Sequence, residues 1–361
     1  MSEQRKVYKT EDYQLVAFAP QDAANIAFLK AKELAESAHK GIEFPIPEIA
    51  SYPFAPLMPG QLCVVLAQSS NYKTGFMDFW KDHAAEQLGV QGREDEAVFF
   101  VSVEDMLEEQ MFFEMSKETG LPVDEISVGH AEDWSRVVAA TLTISGVPVY
   151  RICNSLAFSD RDNVPELYLS NVQKAIEMVY QRDGKKPAVI FIDYLQALPL
   201  DPEHKQFGSD ARRLQVRTDI YEMRRMAAKY SCPVVVGVQA KQELNGAVDG
   251  NMYIPGMYDG EETSSIAQRA DRMISLWLPK QKHGGLINKA TKGDFQYIIR
   301  ENLLFVKVVK QRGRLPAGKT WSCIIGYSRN RIEALKNFQE TYIDREWQEL
   351  TRKINGAEVD L

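Results

Sequence analysis

Residues 61–76 read QLCVVLAQSSNYKTGF: an apolar run of strand type, then small and polar residues, a Lys-Thr pair and the opening of a helical pattern. That order is the setting of a phosphate-binding loop. In such a loop backbone amides wrap the phosphates, a lysine neutralises their oxygens, and a Ser or Thr hydroxyl at the helix start reaches Mg²⁺. Lys73 and Thr74 fill the last two roles, and Ser69, Ser70, Asn71 and Tyr72 form the loop before them. Tyr72 stands where the motif has glycine. A Cβ at positive φ costs ~1–2 kcal/mol, which is a factor of roughly ten to thirty in occupancy rather than a block. A Lys-Thr pair by itself is most often an ordinary helix start, so the reading needs support from other strands.

From residue 61 onward, short runs rich in β-branched residues alternate with helical patterns. The runs are LCVVLA (62–67), AVFFVSV (97–103), VPVYRI (147–152), AVIFID (188–193) and PVVVGVQ (233–239). Continuous apolar strands separated by helices predict a parallel sheet buried on both faces. Two of the covering helices show their stripes, Phe76, Trp80, Ala84 and Leu88 in one and Val216, Ile220, Met223, Ala227 and Tyr230 in the other, at helical spacing. RMISLWL (272–278), NLLFVKVVK (302–310) and TWSCIIGY (320–327) follow and suggest an antiparallel extension. The expected fold is therefore α/β, a mostly parallel central sheet flanked by helices, with C-terminal antiparallel strands.

Around this domain, placed at 60–330, lie an N-terminal segment (1–59) and a tail (331–361). The first holds an amphipathic helix at about 21–38 and the Pro-rich connection FPIPEIASYPFAPLMPG (44–60), whose prolines cannot continue a helix. The tail is read as helical from Ile332 to Ile354.

The net charge of −7 excludes a protein that coats nucleic acid through bulk charge and leaves room only for local basic contacts. Four scattered cysteines and five scattered histidines form neither a CxxC pair nor a transition-metal spacing. With no apolar run of membrane length and no signal-peptide pattern, the chain is expected in the cytoplasm, away from membranes.

Three further strand ends carry polar residues. Asp193 closes AVIFID at the carboxyl end of a strand, where α/β sheets bind ligands; it supplies a carboxylate for Mg²⁺ or else caps the next turn. Glu104 follows AVFFVSV, placed to act as a general base for water or to head an acidic helix turn. Gln239 closes VVVGVQ and either senses a γ-phosphate or satisfies a loop backbone.

Taken together, PGQLCVVLAQSSNYKT, FFVSVEDM, VIFIDYLQAL, MRRMAAKYSCPVVVGVQ and KVVKQRGRLPAG give residues 40–335 a resemblance to the ATPase domain of DnaB-like replicative helicases, within the RecA-like P-loop NTPases. The DYLQ wording is the most specific of these. The resemblance implies ATP and Mg²⁺ as ligands, with Lys73 and Thr74 on phosphate and metal, Glu104 activating water, Asp193 holding Mg²⁺ through its hydration shell, and Gln239 reading the γ-phosphate. It further implies that Lys310 and Arg312 reach a neighbouring subunit's site, in a homo-oligomeric ring, a hexamer, around single-stranded DNA, in company with other replication proteins of a bacterial or phage-infected cell. The helix at 21–38 resembles the family's linker helix, and the family's N-terminal primase-contacting domain is expected to be lacking. The loops at 199–217 and 240–265 are the nucleic-acid candidates, through Arg212, Arg213 and Lys241. A degenerate, nucleotide-weak ring scaffold or loader is the alternative expectation, resting on Tyr72.

Overall fold

In the computed structural model, six runs pair as parallel strands: Leu62–Ala67 (β1), Glu96–Ser102 (β2), Val149–Ile152 (β3), Lys186–Asp193 (β4), Val234–Gln239 (β5) and Arg272–Trp277 (β6). Leu303–Gln311 (β7), Thr320–Gly326 (β8) and Arg331–Ala334 (β9) extend the sheet antiparallel. The strand order is β9-β8-β7-β6-β1-β5-β4-β2-β3. Four strands followed by the candidate polar residues, β1, β5, β4 and β2, are thus neighbours in the middle of the sheet.

The described residues are 8–9, 16–17, 19–36, 41–50, 56–155, 166–202, 204–241, 254–261, 264–279, 289–292, 295–298, 302–312 and 317–335. They fall into two units, residues 1–40 and 41–361. In the first, helix α1 spans Pro20–Glu36 where the sequence places one, with Ile26, Phe28 and Leu29 exposed. Among the described residues no helix is long and apolar enough to cross a membrane.

Strand side chains alternate between the two faces. Cys63, Val65 and Ala67 of β1 face the helix Lys73–Val90 (α2), whose Phe76, Trp80, Ala84 and Leu88 are buried as the periodicity predicts. Leu62, Val64 and Leu66 join the opposite cluster, where Val172 and Ile176 of α5 (Leu169–Asp183) and Val216, Ile220, Met223 and Ala227 of α6 (Ala211–Lys229) pack. Between them in sequence, α3 (Leu107–Thr119) and α4 (Trp134–Ser145) follow β2.

Three expectations need correction. RMISLWL reads as part of the antiparallel extension, yet β6 runs parallel to β1, entered from the short helix Ser265–Arg269 (α7). The Pro-rich stretch is no connection outside the domain: Ile42, Phe44, Ile46, Ile49 and Leu57 are buried in the α2-side core. It is tied down by Gln87, whose amide accepts from the Glu43 N–H at 2.9 Å and donates to the Gly41 carbonyl at 2.9 Å, and by the Trp80 indole donating to the Glu43 carbonyl at 2.7 Å. Proline opens the short helix Pro47–Ala50 and does not prevent packing, so these residues belong to the compact unit that begins at residue 41. Finally, Ile332, Glu333 and Ala334 lie in strand β9 rather than in a helix, paired to β8; residues 336–354 of the expected tail helix lie outside the described residues.

Candidate active site

The loop between β1 and α2 adopts positive φ at Ser70 (60°) and Tyr72 (63°), two left-handed residues of the kind that turn successive amides toward an anion. Asn71, between them, is buried; its carbonyl oxygen accepts from the Leu278 N–H at 2.7 Å and its amide donates to the Ser69 carbonyl at 3.0 Å. Its side chain therefore shapes the loop and leaves ligand contact to the backbone. Tyr72 takes the glycine conformation and turns its ring back over the first turn of α2, edge-on to Tyr327 with ring centroids 5.6 Å apart.

Lys73 opens α2 and points along the carboxyl edge of the sheet. Its ammonium lies 3.8 Å from Asp193 and 3.3 Å from the ring centroid of Tyr194, a cation–π contact. Asp193 is only 4% exposed, takes a hydrogen bond from the Thr74 hydroxyl, and keeps one oxygen, Oδ1, without a hydrogen-bond partner among the described residues. Burial pushes the Asp193 carboxyl above its ordinary value, against Lys73 and Thr74. Burial likewise pulls Lys73 down, against Asp193, Glu104 and Glu261. At 3.8 Å neither partner offsets the other's desolvation. An orphaned carboxylate oxygen beside a Thr hydroxyl and a phosphate-type lysine is a donor set that fits Mg²⁺ and its waters.

Space for this pair comes from Gly237 in β5, where a Cβ would lie 3.0 Å from Asp193 Oδ1 and 3.1 Å from Lys73 Cδ. The DYLQ run organises the rest. The Tyr194 hydroxyl donates to Glu104 at 2.9 Å, so one residue touches both the loop lysine and the exposed acid at the end of β2. Gln196 clamps the end of β5, accepting from the Gln239 N–H at 3.0 Å and donating to the Gln239 carbonyl at 3.2 Å. Ala67 pairs with Gln239 and Ser102 with Asp193 in register, so the four predicted residues Lys73, Glu104, Asp193 and Gln239 share one edge.

The remaining candidates lie elsewhere. Lys310 and Gln311 pair with Met273 and Arg272, level with the amino end of β1, across the sheet from Lys73. The Lys310 ammonium donates to the Ala267 carbonyl; Arg312 donates to the Gln268 carbonyl at 2.9 Å and pairs with Asp271 at 3.4 Å. Arg212 is not a free phosphate contact: its guanidinium donates to the Leu198 carbonyl at 2.8 Å and to that of Gln196, fastening the DYLQ turn. Arg213 and Lys241 are exposed, and residues 242–253 of the second loop lie outside the described residues.

Sequence reasoning missed Tyr194, Gln196 and Gly237 as working residues. Of these only Gly237 left a local signal, a glycine inside a buried strand, which marks a close approach.

Comparisons with known proteins bear on the family and the fold. The model of the DnaB-like helicase C-terminal domain family matches residues 53–318. Among solved structures, an isolated ATPase domain superposes with a TM-score of 0.66 at 17% identity, over 89% of this chain and 100% of that one. A DnaB-like replicative helicase, described with its interactions with primase, gives 0.63 at 17% identity, over 88% of this chain and 67% of the other. At such identities the likeness speaks for the fold. No curated protein matches the sequence.

Proposed function

The chain belongs to the DnaB-like helicase C-terminal domain family, one of helicase-type motor ATPases, and from that membership we propose that it hydrolyses ATP at the subunit interfaces of a homo-oligomeric ring, a hexamer, acting on single-stranded DNA. One observation carries the reading: Lys73 and Thr74 at the start of α2, Asp193 at the end of β4 and Glu104 just after β2 lie at one sheet edge, with Tyr194 touching both Lys73 and Glu104.

In this reading the left-handed turns at Ser70 and Tyr72 present loop amides to the phosphates, and Lys73 leaves Asp193 and the Tyr194 ring to meet the β and γ oxygens. Thr74 and Asp193 are the residues that would hold Mg²⁺, which would supply neutralisation of the charge that develops on the phosphates during transfer. Glu104 takes a proton from the attacking water, and Gln239, fixed by Gln196, registers the γ-phosphate. Lys310 and Arg312, on the far sheet edge, cannot reach their own Lys73; they complete the site of a neighbouring copy by exchanging their contacts at residues 267–271 for phosphate. Arg213, exposed in the first turn of α6, and Lys241, exposed after β5, are the proposed DNA contacts, and their contribution should weaken as salt rises.

The reading is tested by ATP turnover with and without single-stranded DNA. Wild type should turn over faster with DNA, Lys73→Ala should lose nucleotide binding, and Glu104→Gln should bind ATP but turn over about 10²–10⁴-fold more slowly. Absence of wild-type turnover, or an unaffected Glu104→Gln, would refute it.

A further inference from the structure

Tyr72 is held on the side away from the phosphates by groups that have no other evident task. Its ring lies flat on Gly75, where an added Cβ would come 2.6 Å from Tyr72 Cζ, so only glycine leaves room for it. Its hydroxyl donates to Asn330 Oδ1. Asn330 is 2% exposed, sits at a left-handed φ of 45° in the turn between β8 and β9, and spends its whole amide on the start of α2. The amide nitrogen donates to the Gly75 carbonyl at 3.0 Å and to Asp78 at 2.7 Å. Residues 72, 75 and 78 are thus gripped on one face by one side chain.

Asp78 is itself anchored. Lys81 binds it at 2.5 Å and Lys117 at 2.7 Å; the two lysines also hold Asp82 and Glu114, and Arg151 pairs with Glu114 at 2.8 Å. Three carboxylates, Asp78, Asp82 and Glu114, are matched by three cations, and Lys81 is 1% exposed. Burial alone would raise the Asp78 carboxyl, but Lys81 and Lys117 hold it below the ordinary range, so it remains a charged acceptor for Asn330. The loop residue is therefore tied, through Asn330, to a neutralised ionic cluster joining α2 to α3.

We infer that Tyr72 is a positioning residue: its latch to Asn330 and Gly75 holds the loop in the left-handed turn that glycine adopts without strain, so that tyrosine maintains the phosphate-binding conformation in this chain. The inference deepens the nucleotide-site reading and rests on it for its catalytic meaning. It reverses the expectation from the motif alone. Tyr72→Gly removes a Cβ at positive φ but also the latch, and the loop then loses its hold.

The test separates the latch from the chemistry. In nucleotide-free protein, amide hydrogen exchange across residues 71–76 should rise about tenfold in Tyr72→Phe, Asn330→Ala and Gly75→Ala, with the amides of β1 unchanged. Mg-ATP affinity should weaken, and KM rise, about fivefold to tenfold in Tyr72→Phe and Tyr72→Gly, with kcat within about twofold. The double variant Tyr72→Phe with Asn330→Ala should be no worse than the worse single, since both break one contact. Loop exchange unchanged in all three variants, Tyr72→Gly binding Mg-ATP as tightly as wild type, or additive effects would each overturn the latch. Should loop exchange respond as expected while wild type binds no Mg-ATP, the latch stands and the ATPase reading falls.

Discussion

Tyr194 links the two charged ends of the site, its ring under the Lys73 ammonium and its hydroxyl on Glu104. The contacts are separable by substitution. Tyr194→Phe keeps the ring face and removes the hydroxyl; kcat is expected to fall about fivefold to tenfold, with Mg-ATP affinity nearly unchanged. Tyr194→Leu removes both; since Lys73 gives up the ring on meeting phosphate, only the nucleotide-free site loses a cation–π contact worth about 1–2 kcal/mol, and Mg-ATP binding should tighten by about fivefold or more while kcat falls. Steady-state turnover and equilibrium binding measured side by side check this, and equal effects of the two substitutions would contradict it. Asp193 was legible in the sequence because a carboxylate ends an apolar run. Tyr194 and Gln196 stood in the DYLQ wording without visible tasks, because their partners lie 90 and 43 positions away in the chain. Tyr72 shows the same limit: its conformational cost is local and readable, whereas its compensation comes from Asn330, 258 positions on.

Among the elements, β5 is the strand whose smallness the site needs. In Gly237→Ala the new Cβ would stand 3.0 Å from both Asp193 Oδ1 and Met77 Sδ. The fold should survive, and the Lys73–Asp193 pair should shift, lowering ATP turnover about tenfold or more, since a misplacement near 1 Å costs on the order of 10²-fold. A protein with full turnover would contradict the packing described. Helix α6 carries a different signature. Asp219 is buried, and burial raises its carboxyl from 3.8 to about 7, opposed by the Gln215 hydrogen bond and Arg212 and aided by Asp201 and Glu222. The folded protein thus keeps this proton where the unfolded chain has released it, and the group's contribution to stability is lost as pH rises from 3.8 to about 7. Asp219→Asn should therefore stabilise the protein by on the order of 2–4 kcal/mol at about pH 8 and by little at about pH 4. Denaturant melts at the two pH values check it, and an equal gain at both would contradict the assignment. At this scale the strands and the helix stripes were legible from periodicity. The direction of β6 was not, because local sequence records a strand and not the crossover that orients it.

Over the whole molecule, the sheet separates two groups of candidate residues. Its carboxyl edge holds Lys73, Asp193, Glu104 and Gln239; its amino edge holds Lys310 and Arg312 beside Asp271, which also accepts from the Leu62 N–H at 2.9 Å. On the proposed function, a chain built this way completes its site with a neighbour. The family was foreseeable from motif order. The burial of Ile42, Phe44, Ile46, Ile49 and Leu57 in the core was not, since proline content describes limits on the backbone and says nothing about what side chains bury. The most direct test measures ATP hydrolysis, with single-stranded DNA present, by wild type, Glu104→Gln, Arg312→Ala and an equal mixture of the two variants. In mixed rings about a quarter of interfaces would pair an intact Glu104 with an intact Arg312. Wild type should be active, each variant alone nearly inactive, and the mixture restored to about a quarter of wild type; an inactive wild type, or a mixture that stays inactive while both variants assemble and bind ATP, would contradict hydrolysis at a shared interface.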